Sequence, residues 1–142
     1  MNLTIKNTPK RLKKKEAILE SAVKIFALHG YNNTRLEQIT HDLQLSDKAI
    51  YYYFSSKGDL FVDVILLIQQ QLNQLIKKIE DTGFNHHDKI KNYTHRAMSI
   101  EGLTLLMYLP RSLSEFAKYE NIKLNEAKQF KVYTNWFKKG QL

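Results

Sequence analysis

The chain of 142 residues contains no cysteine, which removes disulfides, thiolate zinc sites and cysteine nucleophiles together. Proline occurs only at Pro9 and Pro110, so long stretches are free to run as uninterrupted helix. Its five glycines form no glycine-rich phosphate loop. No serine sits in a nucleophile elbow, and no paired His/Glu zinc motif occurs, so the sequence reads as that of a non-enzyme without a cofactor or metal. The opening MNLTIKNTPKRLKKKE lacks the apolar run of a secretory signal. The longest apolar run, around Phe61 to Ile68, is too short for a membrane span and contains Asp63. A soluble, cytoplasmic protein without a membrane partner is the expectation.

Charge of one sign is in excess. The formal net charge of +8 favours polyanionic partners, although charge alone does not separate DNA from a membrane surface. A hydrophobic content of 43% suits a folded domain and argues against disorder.

The patterning predicts helices throughout. Residues 1–9 read as a flexible arm closed by a proline suited to a helix start. Ile18, Ala22, Ile25 and Phe26 then repeat at helical spacing, and Gly30 is placed to end that helix. Thr34 with Glu37 predicts the cap of a second helix, burying Leu36, Ile39 and Leu43. Ser46 predicts a third, short helix carrying Ala49, Ile50 and Phe54. Ser56 with Asp59 opens a fourth, which Leu60 through Ile79 extend to about Glu80, before Asp81-Thr82-Gly83 breaks it. A fifth is expected from Asn85–Asp88, carrying Ile90, Tyr93, Ala97 and Ile100. Pro110 divides it, or a helix through Leu103–Leu109, from a sixth over Ser112–Tyr119. A seventh is expected from Asn121 or Ile122 to Lys139, with Leu124, Ala127, Phe130, Tyr133, Trp136 and Phe137 on apolar faces. No stretch sustains a two-residue alternation, so the fold class is all-α.

The segment Leu36–Leu60 suits two short helices joined by a tight turn, beside a lysine-rich helix start. In a helix-turn-helix the second helix enters the major groove. Ile39, Leu43, Leu45, Ile50 and Phe54 face inward and leave Asp47, Lys48, Ala49, Tyr52 and Tyr53 for DNA. Lys48 suits guanine O6 or N7, and Ala49 is small enough to meet a thymine methyl. Tyr52 reaches either a base edge or a phosphate. Asp47 either accepts from cytosine N4 or simply suits a helix N-terminus. Thr34, Tyr53 and Lys57 are the phosphate candidates, with backbone N–H groups at the starts of helices two and four; Arg35 is a further DNA-binding candidate, and Lys10, Arg11, Lys13, Lys14 and Lys15 add attraction that ignores sequence. Tyr51, next to inward-facing Ile50, is expected to serve mainly in packing.

Ile18-Leu19, Phe26, Gly30-Tyr31, Thr34, Ile39, Ser46, Tyr51-Tyr52-Tyr53-Phe54, Lys57 and Leu60 together resemble the TetR family of bacterial regulators, over roughly residues 11 to 61. The resemblance implies a helix-turn-helix domain over residues 10–56 and a helical regulatory domain over 57–142, joined by a long connecting helix over 57–80. It implies backbone contacts from Tyr51, Tyr52, Tyr53 and Lys57. It further implies a homodimer on a palindromic double-stranded operator, acting on the nucleoid as a repressor released by a small apolar or cationic ligand. Helix four would couple ligand to DNA. Two positions depart from the family pattern: Gln44 and Lys48 stand where glycine is usual. The chain also reaches Leu142 about where the family's dimer helices would begin, which raises the alternative of a truncated interaction module with weak DNA binding of its own.

Plainer roles compete for other residues. His86, His87 and Asp88 suit a polar helix start better than a metal site, because adjacent helical residues point apart. His29 and His41 read as surface or cap residues. Most large side chains of the second half are expected in the core, and Glu101, Glu115 and Glu120 are more often surface charges than selectors of a cationic ligand.

Overall fold

The computed structural model describes residues 9–107 and 116–140, and the described residues are helices, 3-10 segments and turns with no strand. The chain divides after Val64 into two compact units. The arm over residues 1–8, Pro110 and the expected helix start at Ser112 lie outside the described residues.

In the first unit, α1 spans Pro9–His29, with proline as its first helical residue. Its buried face is Ile18, Ser21, Ala22, Val23 and Phe26. Gly30 ends it in the left-handed region (φ 76°), where its N–H donates to the Phe26 carbonyl at 2.7 Å. Helix α2 spans Leu36–Asp42 and packs on α1 through Ile39 and Leu36. One polar tie joins the two, Ser21 Oγ donating to Asp42 Oδ2 at 2.8 Å. Phe26, Tyr31 and Phe61 form an aromatic cluster with centroids 4.9–6.2 Å apart. Ile18, Ile39, Ile50, Leu60 and Phe61 are almost wholly withdrawn from solvent. Each such side chain contributes on the order of 1.5–3 kcal/mol by burial.

Three local expectations are corrected here. Arg35, not Thr34, is the N-cap of α2, with extended backbone (φ −109°, ψ 142°). Its N–H donates to Gln38 Oε1 at 2.8 Å, so Gln38 plays the part expected of Glu37. The segment after Ser46 is not an α-helix but a 3-10 segment over Ala49–Tyr52, held by bonds such as Ala49 N–H to Ser46 O at 3.0 Å. Tyr51 is also not a packing residue, being 57% exposed.

The turn between α2 and the 3-10 segment is a complete Schellman motif. Leu45 N–H reaches the Thr40 carbonyl at 2.8 Å and Gln44 N–H the His41 carbonyl at 3.1 Å. That pattern needs a left-handed residue at position 44, and Gln44 supplies it at φ 57°.

Helix α3 spans Lys57–Glu80 and contributes residues to both units. Its start matches the expected cap: Asp59 N–H donates to Ser56 Oγ at 3.0 Å and Ser55 N–H to Asp59 Oδ2 at 3.4 Å. In the second unit, α4 spans His86–Ala97, and Asn85 caps it by accepting from Asp88 N–H at 2.8 Å. Ile100 falls in the turn beyond it, followed by a 3-10 segment over Leu103–Met107.

Helix α5 spans Phe116–Gly140 without a break, so the expected sixth and seventh helices are one. Neither Glu120 nor Asn121 removes a backbone donor or forces a turn, and the helix continues through both. Its inward face is Ile122, Val132, Tyr133 and Trp136, the last three packing with Leu75, Ile76, Ile79, Ile90 and Tyr93. Leu124, Phe130 and Phe137 point outward instead, at 54%, 72% and 50% exposure. Apolar residues ring this helix, so composition could not choose the buried face. Gln69 fixes the register: its buried carboxamide donates to the Ile122 carbonyl at 3.1 Å, and its backbone carbonyl accepts from Gln129 Nε2 at 3.1 Å.

Gln44→Gly should stabilise the protein. Relief of the left-handed penalty, about 1–2 kcal/mol, outweighs glycine's additional chain entropy, about 0.5–1 kcal/mol. A rise of a few degrees in Tm by circular dichroism is the expected result, whereas an unchanged or lower Tm would mean that the turn is unstrained.

Candidate nucleic-acid interface

An α-helix of useful length shapes its own surface, but a four-residue 3-10 segment does not. Its shape here is imposed by two buried anchors, Ile50 and Phe54, at 1% and 3% exposure. Between and around them the exposed groups project. Asp47 and Lys48 are exposed and Ala49 is half-buried. Tyr52 is 63% exposed and Tyr53 half-buried, their rings edge-on at 5.1 Å. Asp47 is partly committed, since its Oδ1 accepts from the buried Thr40 hydroxyl at 3.4 Å. This ties the start of the segment to α2 and favours the helix-positioning reading of Asp47 over base reading.

Thr34 is placed differently from expectation. It is 1% exposed, and its hydroxyl donates to the Gly30 carbonyl at 2.6 Å. The side chain therefore closes the end of α1 and is not presented to a phosphate. Arg35 beside it is exposed and shares a shallow groove of about 460 Å³ with Glu37, Gln38, His41 and Asp47.

Lys57 is the first residue of α3, where the helix macrodipole is positive and backbone N–H groups point outward. Its ammonium lies 4.5 Å from the centroid of the Tyr31 ring. Partial burial holds its pKa below the ordinary lysine value.

The cationic start of α1 is not uniform. Lys10, Lys13 and Lys14 are exposed. Arg11 instead lies over two tyrosine rings, its Cζ 4.4 Å from the Tyr52 centroid and 4.8 Å from that of Tyr53. Its Nη2 also donates to the Tyr52 carbonyl at 3.2 Å. One helical turn on, Lys15 lies 5.4 Å from the Phe54 ring. These contacts were missed as a pair, although the four-residue spacing of Arg11 and Lys15 marks one face of a helix.

The second unit holds a groove of about 400 Å³, mostly apolar, whose lining includes Tyr93, Ala97, Met98, Glu126, Phe130 and Tyr133. Gln129 lines it as well. Burial, and secondarily the neighbouring Tyr133, raises the Tyr93 pKa, so the Tyr93 phenol enters the groove as a neutral group. Glu115 lies outside the described residues; among those described, neither Glu101 nor Glu120 lines the groove, and Glu126 does. Among the described residues there is no group of three or more His, Asp or Glu able to hold a metal ion, and no helix is long and apolar enough to cross a membrane.

Comparison with known proteins places this geometry. Residues 18–64 match the family model described as bacterial regulatory proteins, tetR family. The chain is similar to the HTH-type transcriptional repressor NicS of Pseudomonas putida, 40% identical over 65 residues, which are 46% of this chain and 31% of that protein. It is also similar to the "Probable acrEF/envCD operon repressor" of Escherichia coli K12, 32% identical over 100 residues, 70% of this chain and 44% of that protein. The chain thus spans less than half the length of these curated relatives. Among solved structures, a TetR-like transcriptional regulator from Rhodococcus sp. RHA1 superposes with a TM-score of 0.66 at 17% identity, over 94% of this chain and 73% of that one.

Thr34→Val should lower stability by about 1 kcal/mol through the lost hydroxyl bond, with Thr34→Ser near wild type. The salt dependence of DNA binding should not change. A fall of about 0.9 in the log–log salt slope would instead mark Thr34 as a phosphate contact.

Proposed function

We propose that this chain, whose residues 18–64 match the family model of bacterial regulatory proteins, tetR family, represses transcription as a pair of copies on a palindromic operator. It is a DNA-binding regulator and not an enzyme. The observation that carries the reading is the projection of Lys48, Ala49 and Tyr52 from a segment anchored by Ile50 and Phe54. Lys48, Ala49 and Tyr52 read base edges, while Arg35, Tyr51, Tyr53 and Lys57 hold phosphates. Residues 10–56 form the reading domain, and 57–142 the regulatory one. Two reading segments related by a two-fold axis meet successive major grooves when the half-sites lie about one helical turn apart.

The groove lined by Tyr93, Phe130, Tyr133 and Glu126 receives the inducer, a small apolar or cationic molecule. Release from DNA requires that this ligand bind the DNA-incompetent state more tightly than the competent one. Helix α3 is the connecting element. Lys57 opens it, and in its middle the Gln69 carbonyl accepts from Gln129, a residue of the groove wall.

Selection from random duplex DNA at near-physiological salt, read by sequencing, tests the central statement. Enrichment of a palindrome with two half-sites is expected. A single enriched half-site would mean a monomeric reader, and no enrichment would remove the sequence-reading role. On the selected site, Lys48→Ala should cost about 1–3 kcal/mol and relax preference at one base position. Lys57→Ala should instead weaken all sequences alike and reduce the salt slope by about 0.9.

A further inference from the structure

We propose that Arg11 is the positioning residue of the reading segment: it clamps Tyr52 and Tyr53 in the orientation that meets DNA, and is not itself a phosphate contact. The inference rests on the DNA-reading role of that segment. Three contacts converge on one guanidinium, two ring faces within 4.8 Å and the Tyr52 carbonyl at 3.2 Å. A helix end leaves carbonyls without intrahelical partners, and a charged donor at Tyr52 O satisfies one of them where the 3-10 segment finishes. The start of the segment is tied separately, through Thr40 to Asp47. Arg11 therefore supplies the restraint at the opposite end, on residues that the buried anchors do not immobilise.

The chemistry of the guanidinium is what the arrangement uses. The Tyr52 and Tyr53 rings stand at 87° to one another, and the Arg11 Cζ lies over both while its Nη2 donates to the Tyr52 carbonyl. A lysine ammonium keeps the charge but has no plane to stack and no fixed fork of donors. Holding two aromatic side chains in place before DNA arrives also lowers the entropy lost on binding. Lys10, Lys13 and Lys14, exposed on the same helix, remain for diffuse attraction to the backbone.

The test combines a DNA-free and a DNA-bound measurement on the full chain. In the free protein, Arg11→Ala should speed amide hydrogen exchange of Tyr53 and Phe54 about tenfold while leaving α1 and α2 protected. On the selected operator, Arg11→Ala should weaken binding about tenfold with the wild-type salt slope retained, and Arg11→Lys should behave like Arg11→Ala. Lys13→Ala is the surface control and should leave the exchange of Tyr53 and Phe54 unchanged. Two results would overturn the assignment: wild-type affinity restored by Arg11→Lys, or a salt slope reduced by about 0.9 with exchange unaltered in Arg11→Ala. Should the wild type read no DNA sequence, the functional reading fails, while the exchange measurement still decides whether Arg11 holds the segment.

Discussion

A 3-10 turn of four residues makes too few internal bonds to keep its own shape, yet the groups proposed to read bases project from such a turn. The first unit is organised around that constraint. Ile50 and Phe54 sink into the core laid down by α1, α2 and the start of α3, which fixes where the turn sits. The Schellman turn fixes how it leaves α2. Thr40 and Arg11 then restrain its two ends from different helices. The presentation is therefore shared among several restraints, two of them buried side chains, instead of resting on one bond.

The second unit meets a different demand. Its helices carry apolar residues on several faces, and apolar contact by itself selects no register. Gln69 supplies the selection, because a buried carboxamide is costly unless its partners, the Ile122 carbonyl and the Asn125 amide, sit at the right height on α5. Gln129, bonded to the Gln69 backbone, also lines the groove, so a molecule bound there would touch the register device itself.

Much of the first unit was legible in the sequence. Helical spacing, Gly30, the Ser56–Asp59 cap and the inward set Ile39, Ile50 and Phe54 all rest on short-range rules that the structure obeys. What was missed there has two sources. Thr34 turned inward to the carbonyl of Gly30 only four residues back, a local bond that competes with presentation to solvent, while Arg11 meets the rings of Tyr52 and Tyr53, 41 positions along the chain. Tyr51 was misread because a neighbour of a buried residue was assumed to follow it inward. In the second unit, the aromatic residues of α5 gave no sharp face. Only packing decided that Trp136 is buried while Phe130 and Phe137 are not.

That burial has an optical side. Trp136 is the only tryptophan, is 2% exposed, and packs against Tyr93 and Tyr133 with its indole N–H unpartnered among the described residues. Red-edge excitation therefore addresses the second unit alone, and the emission reports on the wall of its groove through Tyr93 and Tyr133. The reading segment, rich in tyrosine and without tryptophan, stays dark under the same light, so the chain carries its own chromophoric label on one unit.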